Sequence, residues 1–154
     1  MPDLSDLITK KVPDAADMCF GIVVAENKPD ITGALLKGAV ETLQANGAIS
    51  ENIHVKSVPS VTDLVYGAHQ MSLRGYYDAV LVIGCIIRGE TSYFDCACQS
   101  LNYGMSRLNA TSEVPIIYGV LTTDTAEQAY QRSDNTEKNK GNECAIDAIK
   151  MAKF

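Results

Sequence analysis

The sequence predicts an α/β fold, a doubly wound sandwich built around a parallel sheet. Two patterns carry that expectation. Short apolar runs rich in β-branched residues alternate four times with stretches whose apolar residues recur at helical spacing. The most hydrophobic run, Ala79 to Ile87 (AVLVIGCII), shows no polar alternation, as a central strand covered on both faces requires.

Taken in order, Cys19 to Ala25 (CFGIVVA) reads as a buried strand. From Ile31 to Asn46 the apolar residues Ile31, Leu35, Leu36, Ala39, Val40 and Leu43 fall on one helical face, and Asn46-Gly47 is a natural stop. Ile53 to Val58 is the second strand, ended by Pro59. Val61 to Leu73 is helical and closes at Arg74-Gly75. After the Ala79 to Ile87 strand, Phe94 to Asn109 forms a helix. Pro115 to Leu121 (PIIYGVL) is a fourth strand, Ala126 to Arg132 a short helix, and Asn142 to Ala152 the last helix. Residues 1–18 are expected as an N-terminal arm and residues 19–154 as one domain, without internal repeats or linkers.

The chain has 154 residues, 46% of them apolar and 21% charged, which places it among globular domains with a core of ordinary size. Its 13 basic against 19 acidic residues give a net charge of −6. That balance argues against nucleic acid or an anionic membrane as partner, since both need a basic face. No apolar run reaches the roughly 18 residues of a membrane span, and Met1 to Asp17 lacks the apolar core of a signal peptide. Five cysteines, with Cys19 and Cys85 inside strands, read as reduced, buried thiols of a cytoplasmic protein rather than as disulfides. Cys96 and Cys98 lie two apart on a helix and face away from each other, a poor metal clip.

In open α/β sheets ligands gather beyond the carboxyl ends of the strands, which directs attention to Ala25–Asp30, Pro59–Asp63 and Arg88–Tyr93. The last is the most informative. Arg88-Gly89-Glu90-Thr91-Ser92 leads from a strand directly into a helix, presenting open backbone N–H groups and the positive end of the helix dipole to an anion. The same residues also suit an ordinary capped loop. His54 lies on a strand between polar Asn52 and Lys56 and is expected to face solvent. His69 sits in a helix beside Gln70, and neither histidine has a neighbouring nucleophile. Lys138-Asn139-Lys140-Gly141 reads as a solvated turn, with Arg132 near enough in sequence to help neutralise a phosphate.

Read as whole phrases, the chain becomes specific. FGIVVAENKPDITGALLKGAVETL, YDAVLVIGCIIRGETSYFD, VPIIYGVLTTDTAEQA and NKGNECAIDAIKMA, in this order from about Phe20 to Ala152, resemble lumazine synthase (6,7-dimethyl-8-ribityllumazine synthase). The resemblance implies a flavodoxin-like three-layer sandwich with a four-stranded parallel sheet. It implies homopentamers, sometimes assembled twelve at a time into a 60-subunit icosahedral shell, and the uninterrupted Arg132 to Gly141 connection has the length of shell-forming members. The reaction implied condenses 5-amino-6-ribitylaminouracil with 3,4-dihydroxy-2-butanone 4-phosphate in riboflavin synthesis, without metal or organic cofactor, at sites between adjacent subunits.

By the same resemblance, Gly89, Glu90 and Thr91 form the phosphate-holding loop, joined by Arg132 from the adjacent subunit and by Lys140. Cys85, Ile86 and Ile87 line the pyrimidine pocket, and Tyr118 is an aromatic supplied by the neighbour. At least four positions of one pocket depart from the family pattern. Asn27 stands where the family has a Phe or Trp that stacks on the pyrimidine, and Lys28 replaces an Asn. Pro59-Ser60-Val61-Thr62-Asp63 replaces a Pro-Gly-(small)-Phe-Glu loop, so its aromatic is lost at Thr62 and its acid at Asp63 is shortened. Tyr93 replaces the histidine proposed for proton transfer, and a phenol with an ordinary pKa near 10 is a poor base at neutral pH. Because these changes converge on one pocket, the expectation divides. Either an enzyme works with an altered site, or a disabled or repurposed shell or binding protein keeps the scaffold and the phosphate site.

Overall fold

A computed structural model describes residues 3–154. The chain runs through α1 (Leu4–Ile8), β1 (Phe20–Ala25), α2 (Pro29–Ala45), β2 (Ile53–Val58), α3 (Leu64–Ser72), β3 (Ala79–Ile87), α4 (Tyr93–Thr111), β4 (Ile116–Thr123), α5 (Ala126–Gln131) and α6 (Lys140–Ala152). Single 3-10 turns at Ser50–Asn52 and Val61–Asp63 precede β2 and α3. The four strands form one sheet in the order β2-β1-β3-β4, and every pairing is parallel.

Parallel strands need crossover helices, and these cover both faces of the sheet. On one face Phe20, Ile22, Leu81 and Ile83 pack with Ile31, Leu35 and Leu43 of α2 and Ala145, Ala148 and Ile149 of α6. On the other, Val23, Val80 and Val82 meet Leu64, Ala68 and Met71 of α3 and Phe94, Leu101 and Met105 of α4. All of β3 is buried except Ile87, as its unbroken apolar run requires. This is the three-layer, flavodoxin-like architecture. From β1 the chain crosses outward to β2, then back across to β3 on the other side. The switch point, where a crevice opens at the carboxyl edge, therefore lies between β1 and β3.

Several boundaries differ from the sequence expectation for local reasons. The helix expected from Val61 begins as a 3-10 turn, because Ser60 and Asp63 close a capping box around its first residues. The last helix starts at Lys140 rather than Asn142, because Asn139 caps it by accepting the Gly141 N–H at 2.7 Å. At the other end of α2, Gly47 takes a φ of +103°, which L side chains avoid. Within the expected N-terminal arm, Leu4–Ile8 is a helix, and Ala15 and Met18 are core residues. The Ala15 N–H donates to the Asn46 carbonyl at 2.9 Å, docking this segment on the end of α2.

Three expectations about side-chain environment are corrected. His54 is half-buried rather than solvent-facing, because it opens the edge strand against Tyr76 and Tyr77. Its Nδ1 lies 2.9 Å from the Tyr77 hydroxyl and its Nε2 2.9 Å from the Glu51 carbonyl. The Lys138–Gly141 stretch is not a solvated turn, since Asn139 and Gly141 are buried. Of the five thiols only Cys85 and Cys144 are buried, while Cys96 is exposed on the outer face of α4. No helix among the described residues is long and apolar enough to cross a membrane.

Candidate active site

Four connections meet at the carboxyl edge of the sheet, and hydrogen bonds stitch each to the next. After β1, the Glu26 N–H donates to the Val58 carbonyl at 2.9 Å, and Ser57 donates its hydroxyl to the Glu26 carboxylate at 2.8 Å. Asn27 bridges the switch point: its Nδ2 donates to the Cys85 carbonyl at 3.2 Å. The β1–β3 ladder reaches only Val24 and Ile83, so this amide occupies a carbonyl that the diverging backbone leaves free. Its Oδ1 is buried and lacks a hydrogen-bond partner. Lys28 follows in the left-handed region at φ 54°, the one non-glycine residue with positive φ among those described, and Pro29 opens α2. Two uncommon features thus sit in consecutive residues at the crevice, the kind of local cost that concentrates at functional sites.

The β2–α3 connection offers less than its sequence position suggests. Val61 is buried in the core against Gly84 and Leu64. Asp63 accepts from the Ser60 N–H and hydroxyl, both at 3.0 Å, so its carboxylate is engaged in the capping box. Thr62 is exposed, and its hydroxyl lies 2.8 Å from that of Ser60.

The β3–α4 connection fits an anion. Gly89, Glu90, Thr91 and Ser92 are all exposed, and a Cβ on Gly89 would meet nothing within 4 Å. Ser92 occupies the N-cap position of α4 without making a cap hydrogen bond, leaving first-turn N–H groups open at the positive end of a 19-residue helix. Thr91 accepts from the Tyr93 N–H at 3.3 Å. Tyr93 itself is 56% exposed. Arg88, which the sequence marks only as the start of this loop, is the most connected side chain at this edge. Its Nε donates to Asp124 at 2.8 Å, its Nη1 reaches Asp95 at 3.4 Å, and its guanidinium lies 4.2 Å from the Phe94 ring centroid. Acids spaced seven and thirty-six residues from an arginine give no sequence signal, so only the fold reveals the cluster.

The remaining expected residues belong to the end of β3, to β4 and to the α5–α6 connection. Cys85 and Ile86 are buried in β3, with Ile87 half-buried at its end. Burial pushes the Cys85 thiol up to about 11, which keeps it neutral. Tyr118 pairs with Val82 in mid-sheet and packs on the α4 side, where burial, above all, pushes its phenol up to about 12. Arg132 caps α5 and is exposed, while Lys140 is held by Glu143 at 2.8 Å. No hydrogen bond or ion pair among the described residues joins Arg132 or Lys140 to Gly89–Thr91 of the same chain. Asn139 fixes the connection that carries them. Its Nδ2 faces the carbonyls of Asp134 at 2.9 Å, Ser133 at 3.2 Å and Ala34 at 3.3 Å, and the Lys140 N–H donates to the Arg132 carbonyl at 2.8 Å. Gly141 completes this knot, since a Cβ there would run into the Leu35 carbonyl. A tie between the Tyr130 hydroxyl and Asp30 links α5 to the start of α2. That hydrogen bond lowers the Asp30 carboxyl and raises the Tyr130 phenol.

Comparison with known proteins identifies the family. The family model described as 6,7-dimethyl-8-ribityllumazine synthase matches residues 17–154. A protein of that name from Bacteroides fragilis is 52% identical over 137 residues, covering 89% of this chain and 96% of the relative. One from Phocaeicola vulgatus is 47% identical over 152 residues, covering 99% and 90%. A third, from Parabacteroides distasonis, is 44% identical over 152 residues, covering 99% and 95%. A match across nearly the whole sheet and every loop of its carboxyl edge shows that the chain belongs to the 6,7-dimethyl-8-ribityllumazine synthase family.

Proposed function

We propose that the chain is a cytoplasmic lumazine synthase that condenses 5-amino-6-ribitylaminouracil with 3,4-dihydroxy-2-butanone 4-phosphate. Its working unit is a homopentamer, whether free or assembled further into a decamer or a 60-subunit shell. The observation that carries this reading is the open start of α4 behind Gly89, Glu90 and Thr91, at the edge where the family's loops converge. The phosphate of the ketose rests there on backbone N–H groups. Local charge then argues for a second subunit. Arg88 is already engaged by Asp95 and Asp124, and Glu90 lies in the turn itself, so the loop needs further cations to hold a dianion. Arg132, exposed and unbonded to its own loop among the described residues, supplies one from the adjacent subunit, with Lys140 next to it through its backbone N–H.

The pyrimidine lies at the β1–β3 crevice over Asn27, Val61, Thr62, Asp63, Cys85, Ile86 and Ile87, against the neighbour's Tyr118. Holding two reactants in register supplies much of the rate in such a condensation, since proximity alone contributes about 7–11 kcal/mol in favourable cases. Tyr93 puts a phenol at the proton-transfer position. Loss of a good general base costs about 10²–10⁴-fold, which leaves a slow enzyme.

The exposure of Tyr93 and the tie of Asn27 to Cys85 favour a second reading, a shell or binding protein that keeps the phosphate site without turnover. One experiment separates the two. Purified protein is mixed with both substrates, lumazine absorbance is followed, and the rate is set against a blank without protein. A rate above the blank that vanishes in Arg132→Ala supports the enzyme. A rate equal to the blank refutes it and leaves the second reading.

A further inference from the structure

We infer that Arg88 is a positioning residue that shields the phosphate loop from the acids surrounding it. The inference rests on the proposed phosphate site at Gly89–Thr91 and adds a residue that touches no substrate. Arg88 leaves the end of β3, its backbone N–H fixed on the Thr123 carbonyl at 2.9 Å. Its guanidinium reaches two carboxylates from different elements: Asp124, which follows β4, at 2.8 Å, and Asp95, in the first turn of α4, at 3.4 Å. Stacking over Phe94 at 4.2 Å fixes the plane of the fork.

The side chains are 46% exposed for Arg88, 61% for Asp95 and 67% for Asp124, so neither pair is a strong source of stability. Their effect lies in charge. Asp95 and Asp124 both stand beside the turn proposed to take a phosphate dianion, and Glu90 lies within it. Asp95 also competes with any anion for the partial positive charge at the start of α4. Arg88 engages two of these three acids and so cancels part of the repulsion they direct at the loop. A simple strut would tie the same elements together. It would not care about the sign of the charges it joins.

The test uses the full-length assembled protein, with steady-state rates for each substrate and inorganic phosphate binding by calorimetry. Arg88→Met keeps most of the stem and removes the charge. It is expected to raise KM for the ketose phosphate about tenfold, the effect of one uncompensated charge a few ångströms away in a partly solvated site. KM for the ribitylaminopyrimidine and kcat stay within about twofold. Adding Asp95→Asn to Arg88→Met recovers much of the lost phosphate affinity, which a broken strut would not allow. Asp124→Asn by itself removes an acid together with a tie, so shielding expects phosphate affinity at or above wild type and a strut expects a fall. Equal weakening of both substrates in Arg88→Met, no recovery on adding Asp95→Asn, or a fall in Asp124→Asn would each overturn the inference. Should Arg88→Met fail to fold, Asp124→Asn decides alone. If wild-type protein neither binds inorganic phosphate nor depends on the ketose phosphate, the proposed site itself is wrong. If it does and Arg88→Met matches it, only the shield is.

Discussion

Replacing Asn139 is expected to damage the fold more than any single change at the pocket. This side chain is 3% exposed and faces four backbone groups. Its two amide hydrogens are shared among the carbonyls of Asp134, Ser133 and Ala34, and its Oδ1 accepts the Gly141 N–H at 2.7 Å. Asn139→Ala leaves that N–H buried without a partner, a cost of about 1–3 kcal/mol, and deletes two or so further hydrogen bonds at about 1 kcal/mol each. The sum is roughly 3–5 kcal/mol, and for a chain of this size each kilocalorie lowers Tm by about 2–4 °C. Thermal and urea unfolding followed by circular dichroism at one protein concentration measures it. Asn139→Asp sharpens the test. It keeps the acceptor for Gly141, and aspartate is as good an N-cap as asparagine. It also turns a carboxylate oxygen toward three carbonyls. It should therefore cost at least as much as alanine. A loss below about 1 kcal/mol for either variant would show that these contacts do not hold the connection together.

Three other outcomes follow from the site and the core. Arg132→Ala should bring the condensation rate to the blank with little change in Tm, since Arg132 is exposed and its structural contacts are made by the backbone; retained turnover would remove it from the phosphate site. Tyr93→His should recover less than the ~10²–10⁴-fold a general base provides, because Asn27 and Thr62 still leave the pyrimidine unstacked; family-like turnover from that one change would show that stacking is dispensable. Burial holds the Cys85 and Cys144 thiols protonated, pushing them up to about 11 and about 12. The unfolded chain releases those protons near pH ~8.5. Their contribution is therefore fully present below that pH and is lost as pH rises through the folded values, so stability should fall across the alkaline range. Cys144→Ala should make the decline shallower, and an unchanged slope in urea unfolding would contradict the assignment.

Most of the fold was legible because its signals are periodic. The bare run Ala79 to Ile87 and the face from Ile31 to Leu43 could hardly pack in another way. What escaped was fixed by contacts distant in sequence. His54 looked solvent-facing from Asn52 and Lys56, yet Tyr77, twenty-three residues on, supplies its partner. Nothing local said that Asn139 of NKG would turn inward to a carbonyl of another helix. The candidate site divided in the same way. The Gly89–Thr91 turn was evident from its place between strand and helix, while the Arg88 cluster needed β4 and α4 to be brought together. Among the described residues, Arg132 makes no hydrogen bond or ion pair with the loop it is proposed to serve.

The amide that Asn27 lays across the crevice bears on what this position can offer a ligand. An aromatic residue at that position would be a guest of the cleft, free to change as the ligand changed. Asn27 instead has become one more rung between two strands, and its neighbour Lys28 holds the backbone bend that makes the rung possible. A tryptophan at this position would give up that hydrogen bond and also remove the buried, unpaired Oδ1, so stacking in the cleft and bridging its two strands are alternative uses of one position.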